Sequence, residues 1–520
     1  MTSTAIDSRT VRRTVRRTVR RTVRRAGLSH WPCKIDLCLA STITLLLAAP
    51  ALAAEPPSAP ALSVLGGFET LHLPGAEHLG LVSASALFEA QGGVWLGPVV
   101  FGAATGQRGG LFVLGGELQR RWALRPGLTL ITGLAVGGGG GAGAPVGNGL
   151  LLRPAAALMQ DFGPVRAGVS LSSVRFVGTE IRSQQLGLLI EWRGDFVHWP
   201  LEQVGERVLA ERRGGLGFDT IDITAAHYSL DGNGQRLGVN LAGARLEQRL
   251  DSKGTRWGVE AAAATQSANA GYMEILGTLS RDWALGGGLR AGLRGAAGLG
   301  GGGAVPAGGG TMVRFDGMLE ATVAPGWRLG SSLGRLQGRS AGLRGQRAEL
   351  WLSADLEPAD LPGTPGRSGT VLRTEWSASL QQLGRVSRKD GSRSSLQTLG
   401  LTLNRWLAPN LYLSAQAHSA FGGGAGAYSV GLLGGGVATA ARPDGGWQLG
   451  AEALVGGAGG GGVERVSGAI GQVQLWAGYA PFGSGSAWRL GLGGAGSLRG
   501  GSPSPLASLT WSRAFGQPGR

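Results

Sequence analysis

Gly338-Arg339-Ser340-Ala341-Gly342 has the G-x-S-x-G form of a nucleophile elbow, in which a sharp strand-to-helix turn exposes a serine for acyl transfer. With 97 glycines in 520 residues such a match arises by chance, and the required strand–elbow–helix context is missing. His418-Ser419 offers a second hydrolase pairing. Adjacent residues of a strand point to opposite faces, so these two cannot meet. Asp231-Gly232-Asn233-Gly234 has the residue types of a calcium loop but reads as a hairpin turn. G-x-G-x-x-G matches near Gly137, Gly300, Gly422 and Gly456 lack the following helix that a dinucleotide site needs. The six histidines are dispersed, and His72 and His227 have no partner at ligand spacing. No enzyme, metal or cofactor is expected.

Both cysteines, Cys33 and Cys38, lie in an N-terminal leader, so the remainder has neither thiol nor disulfide. The leader carries four copies of Thr-Val-Arg-Arg between Arg9 and Arg25, then an apolar stretch, Leu37 to Leu47, then small residues up to Ala54. That order reads as a secretory signal with a long basic n-region, cleaved near Ala54. An arginine cluster can neutralise phosphates, but an export signal follows at once, so no nucleic acid is expected as a partner. Residues 1–54 hold ten Lys/Arg and two Asp/Glu, which places +8 of the formal +16 in the leader.

The elements that must position the remaining polar residues are strands. Val313, Phe315, Gly317, Leu319, Ala321 and Val323 alternate with Met312, Arg314, Asp316, Met318, Glu320 and Thr322. Leu411, Leu413, Ala415 and Ala417 alternate with Tyr412, Ser414, Gln416 and His418. Leu237, Val239 and Leu241 alternate with Gly238, Asn240 and Ala242. A register slip is expected at Gly243, which puts Arg245, Glu247 and Arg249 on the polar side. Turn signals divide such segments at Pro126-Gly127, Pro325-Gly326, Asp390-Gly391 and Asp444-Gly445. About 24 segments of roughly ten residues predict an all-β chain, a transmembrane antiparallel β-barrel. Arg245, Glu247, Arg249, Arg314, Asp316, Glu320, Gln416 and His418 are the expected lumen-facing residues. Trp122, Trp192, Trp283, Trp351, Trp406, Trp476 and Trp511 are the expected aromatic girdle at the lipid–water boundary.

Three stretches share order and spacing. Gln119-Arg120-Arg121-Trp122, Arg281-Asp282-Trp283 and Asn404-Arg405-Trp406 each lead into a strand and then a glycine loop: Gly137 to Gly143, Gly298 to Gly303, and Gly422 to Gly426. Each then reaches a second turn that ends at Gly168, Gly330 and Gly450, which lie 46, 47 and 44 residues beyond the respective tryptophans. The tryptophans themselves lie 161 and 123 apart, a difference of about one hairpin. These stretches predict a leader at 1–54, a first repeat at 55–200 and a helical linker at 201–217. A second repeat spans 218–357, a Pro/Gly linker 358–369, and a third repeat with the closing strand 370–515, before a tail at 516–520. One barrel of about 24 strands is the leading architecture. Two or three smaller barrels in tandem, such as an eight-stranded barrel followed by a larger one, are the alternative.

Leu509, Trp511 and Phe515 share one face of the terminal strand, which resembles the closing strand of bacterial outer-membrane β-barrel proteins. Here Arg513 interrupts the face and five residues follow Phe515. The resemblance implies export to the bacterial outer membrane. Outer-membrane lipid, lipopolysaccharide and the barrel-assembly machinery are the implied partners. The expected activity is passage of a solute or polymer, with the lumen residues acting as field and filter. A non-conducting barrel that displays its glycine loops or anchors a partner is the second reading. An outer-membrane hydrolase is the third.

Overall fold

The computed structural model describes residues 61–519 except 211–213, 233–234, 340–342, 358–366, 441–444, 465–467 and 482–484. The leader and Ser340 to Gly342 of the elbow match therefore lie outside the described residues.

The strands close into three barrels, not one. The first holds β1 (Ala61–Leu73), β2 (Glu77–Glu89), β3 (Val94–Ala103), β4 (Phe112–Arg125), β5 (Leu128–Gly140), β6 (Leu150–Phe162), β7 (Val165–Phe176) and β8 (Arg182–Asp195). A short strand, β9 (Arg207–Ala210), follows. The second barrel holds β10 (Thr220–Gly232), β11 (Gln235–Arg249), β12 (Thr255–Ala264), β13 (Met273–Gly286), β14 (Leu289–Gly301), β15 (Thr311–Ala324), β16 (Trp327–Gly338) and β17 (Arg344–Asp355). The third holds β18 (Arg367–Ser387), β19 (Arg393–Ala408), β20 (Leu411–Gly422), β21 (Ser429–Ala438), β22 (Gly446–Gly459), β23 (Ala469–Ala480), β24 (Ser486–Ser497) and β25 (Ser504–Gly519). All pairings are antiparallel. Closure comes from β1 on β8, β10 on β17, and β18 on both β19 and β25. The tandem alternative is thus the architecture, and a single wide barrel is excluded.

Alternation explains the strands, and its sense is inverted relative to a soluble sheet. On β15, Phe315 is 71% exposed while Arg314 is 0% exposed. On β20, Leu411 and Leu413 face out and Tyr412, Ser414, Gln416 and His418 are buried. The slip expected at Gly243 does not occur, because β10 and β11 pair without a shift. Val239, Leu241, Arg245 and Glu247 share one inward face. The inward face itself changes character along the strand, apolar near one end and charged beyond.

That change recurs in every barrel. Short turns at 126–127, 163–164, 287–288, 325–326 and 409–410 mark one end of the barrels. Longer loops at 104–111, 141–149, 265–272, 302–310, 423–428 and 460–468 mark the other. At the loop end each interior is filled by an apolar cluster. Leu71, Phe101 and Phe176 belong to the first, Leu230, Val239 and Leu336 to the second, and Leu396, Tyr428 and Leu454 to the third.

The loops also join the barrels in a ring. The β3–β4 loop of the first barrel meets the β14–β15 loop of the second, where Gly109 N donates to Gly308 O at 2.6 Å and Thr311 Oγ1 to Ala104 O at 2.5 Å. The β12–β13 loop of the second meets the β22–β23 connection of the third, where Ala469 N donates to Thr265 O at 3.1 Å. The β20–β21 loop of the third returns to the β5–β6 loop of the first, where Gly426 N donates to Gly147 O at 3.1 Å. Each barrel offers its third-to-fourth-strand loop to the fifth-to-sixth-strand loop of another, a head-to-tail contact that closes. Glycine is required here. A Cβ on Gly110 (φ +97°) would stand 2.2 Å from Gly302 N, and one on Gly459 would stand 2.1 Å from Gly271 N.

Three linker and repeat expectations change. No helix forms over the described part of Leu201 to Arg212. Leu201–Gln203 make one 3-10 turn, and Arg207–Ala210 add to the edge of β18 as a strand. Tertiary pairing overrides an apolar pattern too short to stabilise a helix alone. The tail expected at 516–520 is paired instead, since β25 continues on β18 as far as Gly519 opposite Thr370. Trp122 and Trp283 sit on the fourth strands of their barrels, but Trp406 sits on the second strand of the third barrel. The fourth strands of the three barrels, β4, β13 and β21, begin at Phe112, Met273 and Ser429, 161 and 156 residues apart. No hairpin is missing.

Candidate functional site

The polar side chains that the sequence marks out converge inside the second barrel. Glu260 on β12 is the centre. It accepts from Arg314 Nη1 and Nη2 at 2.9 and 2.8 Å, from Arg245 Nη1 at 2.9 Å and from Arg347 Nη2 at 2.9 Å. Glu349 accepts from Arg347 at 2.7 and 2.8 Å and from Arg245 at 3.2 Å. Asp316 accepts from Arg314 Nε at 2.8 Å. Arg245 and Arg294 also lie 5.1 and 4.8 Å from the ring centre of Trp351. Nearer the turns, Arg256 bridges Glu247 and Glu320 at 3.2 and 3.1 Å and also pairs with Asp282. Arg328 links Glu320 to Asp355 at 3.1 and 2.5 Å. Toward the apolar cluster, Glu274 accepts from Tyr228 and Tyr272 hydroxyls, both at 2.8 Å.

Five expected residues, Arg245, Glu247, Arg314, Asp316 and Glu320, therefore meet in one network. Arg249 lies toward its turn-side end, half-buried, with its backbone N–H on Asp219 Oδ2 at 2.7 Å. Gln416 and His418 belong to the third barrel. Gln416 donates to Glu452 at 2.8 Å, and His418 Nε2 lies 3.2 Å from Gln416 Oε1. Ser419 turns the other way, to Ser429 Oγ at 3.0 Å, so the two adjacent residues form no nucleophile–base pair. Among the described residues no group of three His, Cys, Asp or Glu side chains could hold a metal ion.

Several interior groups escaped the sequence reading. In the first barrel Arg153 clamps Glu69 at 2.9 and 2.8 Å, Arg121 meets Glu191 at 2.6 Å, and Ser85 donates to Glu117 at 2.6 Å. In the third, Glu375 pairs with Arg373 at 2.6 Å and with Arg489. The available signal was parity. Glu69 and Glu191 each sit between residues that face out, Phe68 and Ile190 among them.

Parity also corrects the girdle. Trp122, Trp192 and Trp283 are exposed and Trp511 is half-buried, all on the turn-side half of their strands. Trp351, Trp406 and Trp476 are buried inside the barrels and cannot touch lipid. Their outward neighbours are Leu350, Leu407 and Leu475, so these tryptophans had to face in. Trp476 Nε1 instead donates to Tyr412 Oη at 3.0 Å.

No protein-family model matches the chain, and no curated protein matches it. Solved structures similar to it include the siderophore receptor PirA from Pseudomonas aeruginosa, with 12% identity over 89% of this chain and 81% of that one, TM-score 0.27. A BenF-like porin from Pseudomonas fluorescens Pf-5 has 10% identity over 88% and 99%, TM-score 0.21. OccK9 (OpdG) from Pseudomonas aeruginosa has 12% identity over 88% and 98%, TM-score 0.20. These neighbours are bacterial outer-membrane β-barrel proteins. The likeness lends this chain no lumen width and no cargo, and its own interiors speak instead. Eight strands enclose a space that side chains can fill. In the second barrel they do, with Arg245, Glu260 and Arg314 at 0% exposure. The third keeps a cavity of about 20 Å³ among Ser377, Ser379, Asn404, Gln416 and Gln474, room for about one water.

Proposed function

We propose that the chain is an outer-membrane protein whose three sealed barrels cross the bilayer side by side, a non-conducting scaffold that presents the glycine-loop ring at one surface. The observation that carries this reading is the inverted surface. Leu186, Leu333 and Leu492 stand outward at 76%, 73% and 70% exposure while the interiors hold ion pairs. Water would penalise that arrangement on both counts, and lipid outside relieves it. The outward face of β8 reads like a section through a bilayer: Arg182, Gln184, Leu186, Leu188, Ile190 and Trp192. The exposed tryptophans Trp122, Trp192, Trp283, Trp327 and Trp447 all lie on the turn-side half, as a belt at one lipid–water boundary would require. Residues 1–54 are the proposed export signal, and assembly machinery for barrels the proposed route of insertion.

Two expected outcomes test this. Membrane fractions should contain the chain in a form whose gel mobility shifts on heating. A soluble product with no such shift would end the membrane reading. Leu333→Arg should lower the stability of the inserted protein by about 2–4 kcal/mol if that position lies near mid-bilayer, measured by urea titration in vesicles.

Passage of a small solute is the second reading, and the third barrel favours it. Its cavity is lined mostly by Ser, Thr, Asn and Gln, with Glu452 and Arg489 as the charged members, in contrast to the densely ion-paired second barrel. On this reading Gln416→Ala and Gln474→Ala together should raise solute flux into vesicles, and matching substitutions in the second barrel should not.

A further inference from the structure

The outward faces carry a second feature above the apolar band. On the loop-side part of the second barrel, Arg335 on β16, Arg344 on β17 and Arg236 on β11 all point outward and are exposed, with Arg339 just beyond β16. Arg335 pairs in register with Gln346, and Arg344 with Gln337, so the two arginines are diagonal neighbours about 7–8 Å apart at Cα. Asp231 lies beside Arg344 in the β10–β17 register and approaches Arg236 at 3.7 Å. Four guanidiniums thus face one carboxylate. Arg335, Arg339 and Arg344 make no ion pair with a described residue. The first barrel repeats the device on its own seventh and eighth strands, where Arg175 stands directly opposite Arg182 with Glu180 in the turn between them. Like charges placed directly opposite oppose pairing unless an anion lies between them. Two residues from Arg335 along the same outward face is Leu333, and on β8 Arg182 is followed outward by Gln184 and then Leu186, so the cations cap the lipid-facing stripe. The loop-side halves of β24 and β25 carry no arginine.

Resting on the membrane reading above, we infer that this arginine face is a docking surface for the phosphate-bearing headgroup of a lipid in the loop-side leaflet. Its acyl chains would run down the apolar stripe while guanidiniums grip the phosphate oxygens in charge-assisted hydrogen bonds. Charge complementarity and the continuity of cation with apolar stripe select a lipid over a free ion.

The test uses the full refolded chain in zwitterionic micelles, titrated with fluorescent diphosphorylated lipid A, with the same lipid stripped of phosphate, and with inorganic phosphate as competitor. Arg335→Gln, Arg339→Gln and Arg344→Gln together should weaken binding of the phosphorylated lipid on the order of a hundredfold at low salt, and the gap should shrink as salt rises. Arg125→Gln with Arg281→Gln, two exposed turn-side arginines, should change it little. Equal binding of the dephosphorylated lipid, or wild-type affinity in the triple variant, would overturn the inference. Displacement by millimolar inorganic phosphate would assign the site to a free anion and overturn it too. Failure of the wild-type chain to insert into neutral vesicles would remove the membrane reading and this inference together. Insertion with phosphate-blind binding removes the inference alone.

Discussion

Glu260→Gln should cost the inserted protein about 3–5 kcal/mol, seen as a lower urea midpoint in tryptophan fluorescence and an early loss of the heat-modifiable band. Glu260 is 0% exposed and is shared by Arg245, Arg314 and Arg347. A glutamine keeps the shape but removes the charge, so three guanidiniums stay buried around a neutral amide. Glu349 and Asp316 cannot compensate in full, because each already serves its own arginines. Removing a guanidinium at the same time should recover part of the loss: Arg314→Met added to Glu260→Gln should be milder than the sum of the singles. An unchanged midpoint for Glu260→Gln would mean that water reaches the network, and the sealed interior would be wrong.

Gly110→Leu should separate the first barrel from the second while leaving each barrel closed. The backbone at Gly110 is left-handed and its Cβ direction is occupied by the backbone of Gly301 and Gly302, so no rotamer relieves the clash. Left-handed strain alone is worth about 1–3 kcal/mol, before the loop is pushed aside. Amide hydrogen exchange reads this directly. Gly109 N, which donates to Gly308 O at 2.6 Å, should lose protection in Gly110→Leu while the strand amides of both barrels keep theirs. Unchanged protection at Gly109 would deny the glycine contact its role.

Much of this architecture was legible residue by residue, and the limits have physical causes. Period-two alternation on β15 and β20 fixed which residues face in, because strand parity is a local property. Barrel closure is not local. Nothing in β1 or β8 alone says that Leu62 pairs with Gly194, so a run of 24 barrel strands favours one large ring by length alone although three small ones form. A wholly polar inward face would require a slip at Gly243, because Leu237, Val239 and Leu241 precede Arg245 at the same parity. The three instead belong to the apolar cluster that seals the loop end. The buried tryptophans failed for the opposite reason. Residue type suggested an interface, although the parity of Leu350 against Trp351 already placed that ring inside.

The most direct test of the central claim, three barrels closed by their own side chains, is planar-bilayer recording of refolded protein whose insertion is confirmed by heat-modifiable mobility. The account predicts a quiet membrane with no stepwise conductance. Reproducible single-channel steps from the folded form would contradict it.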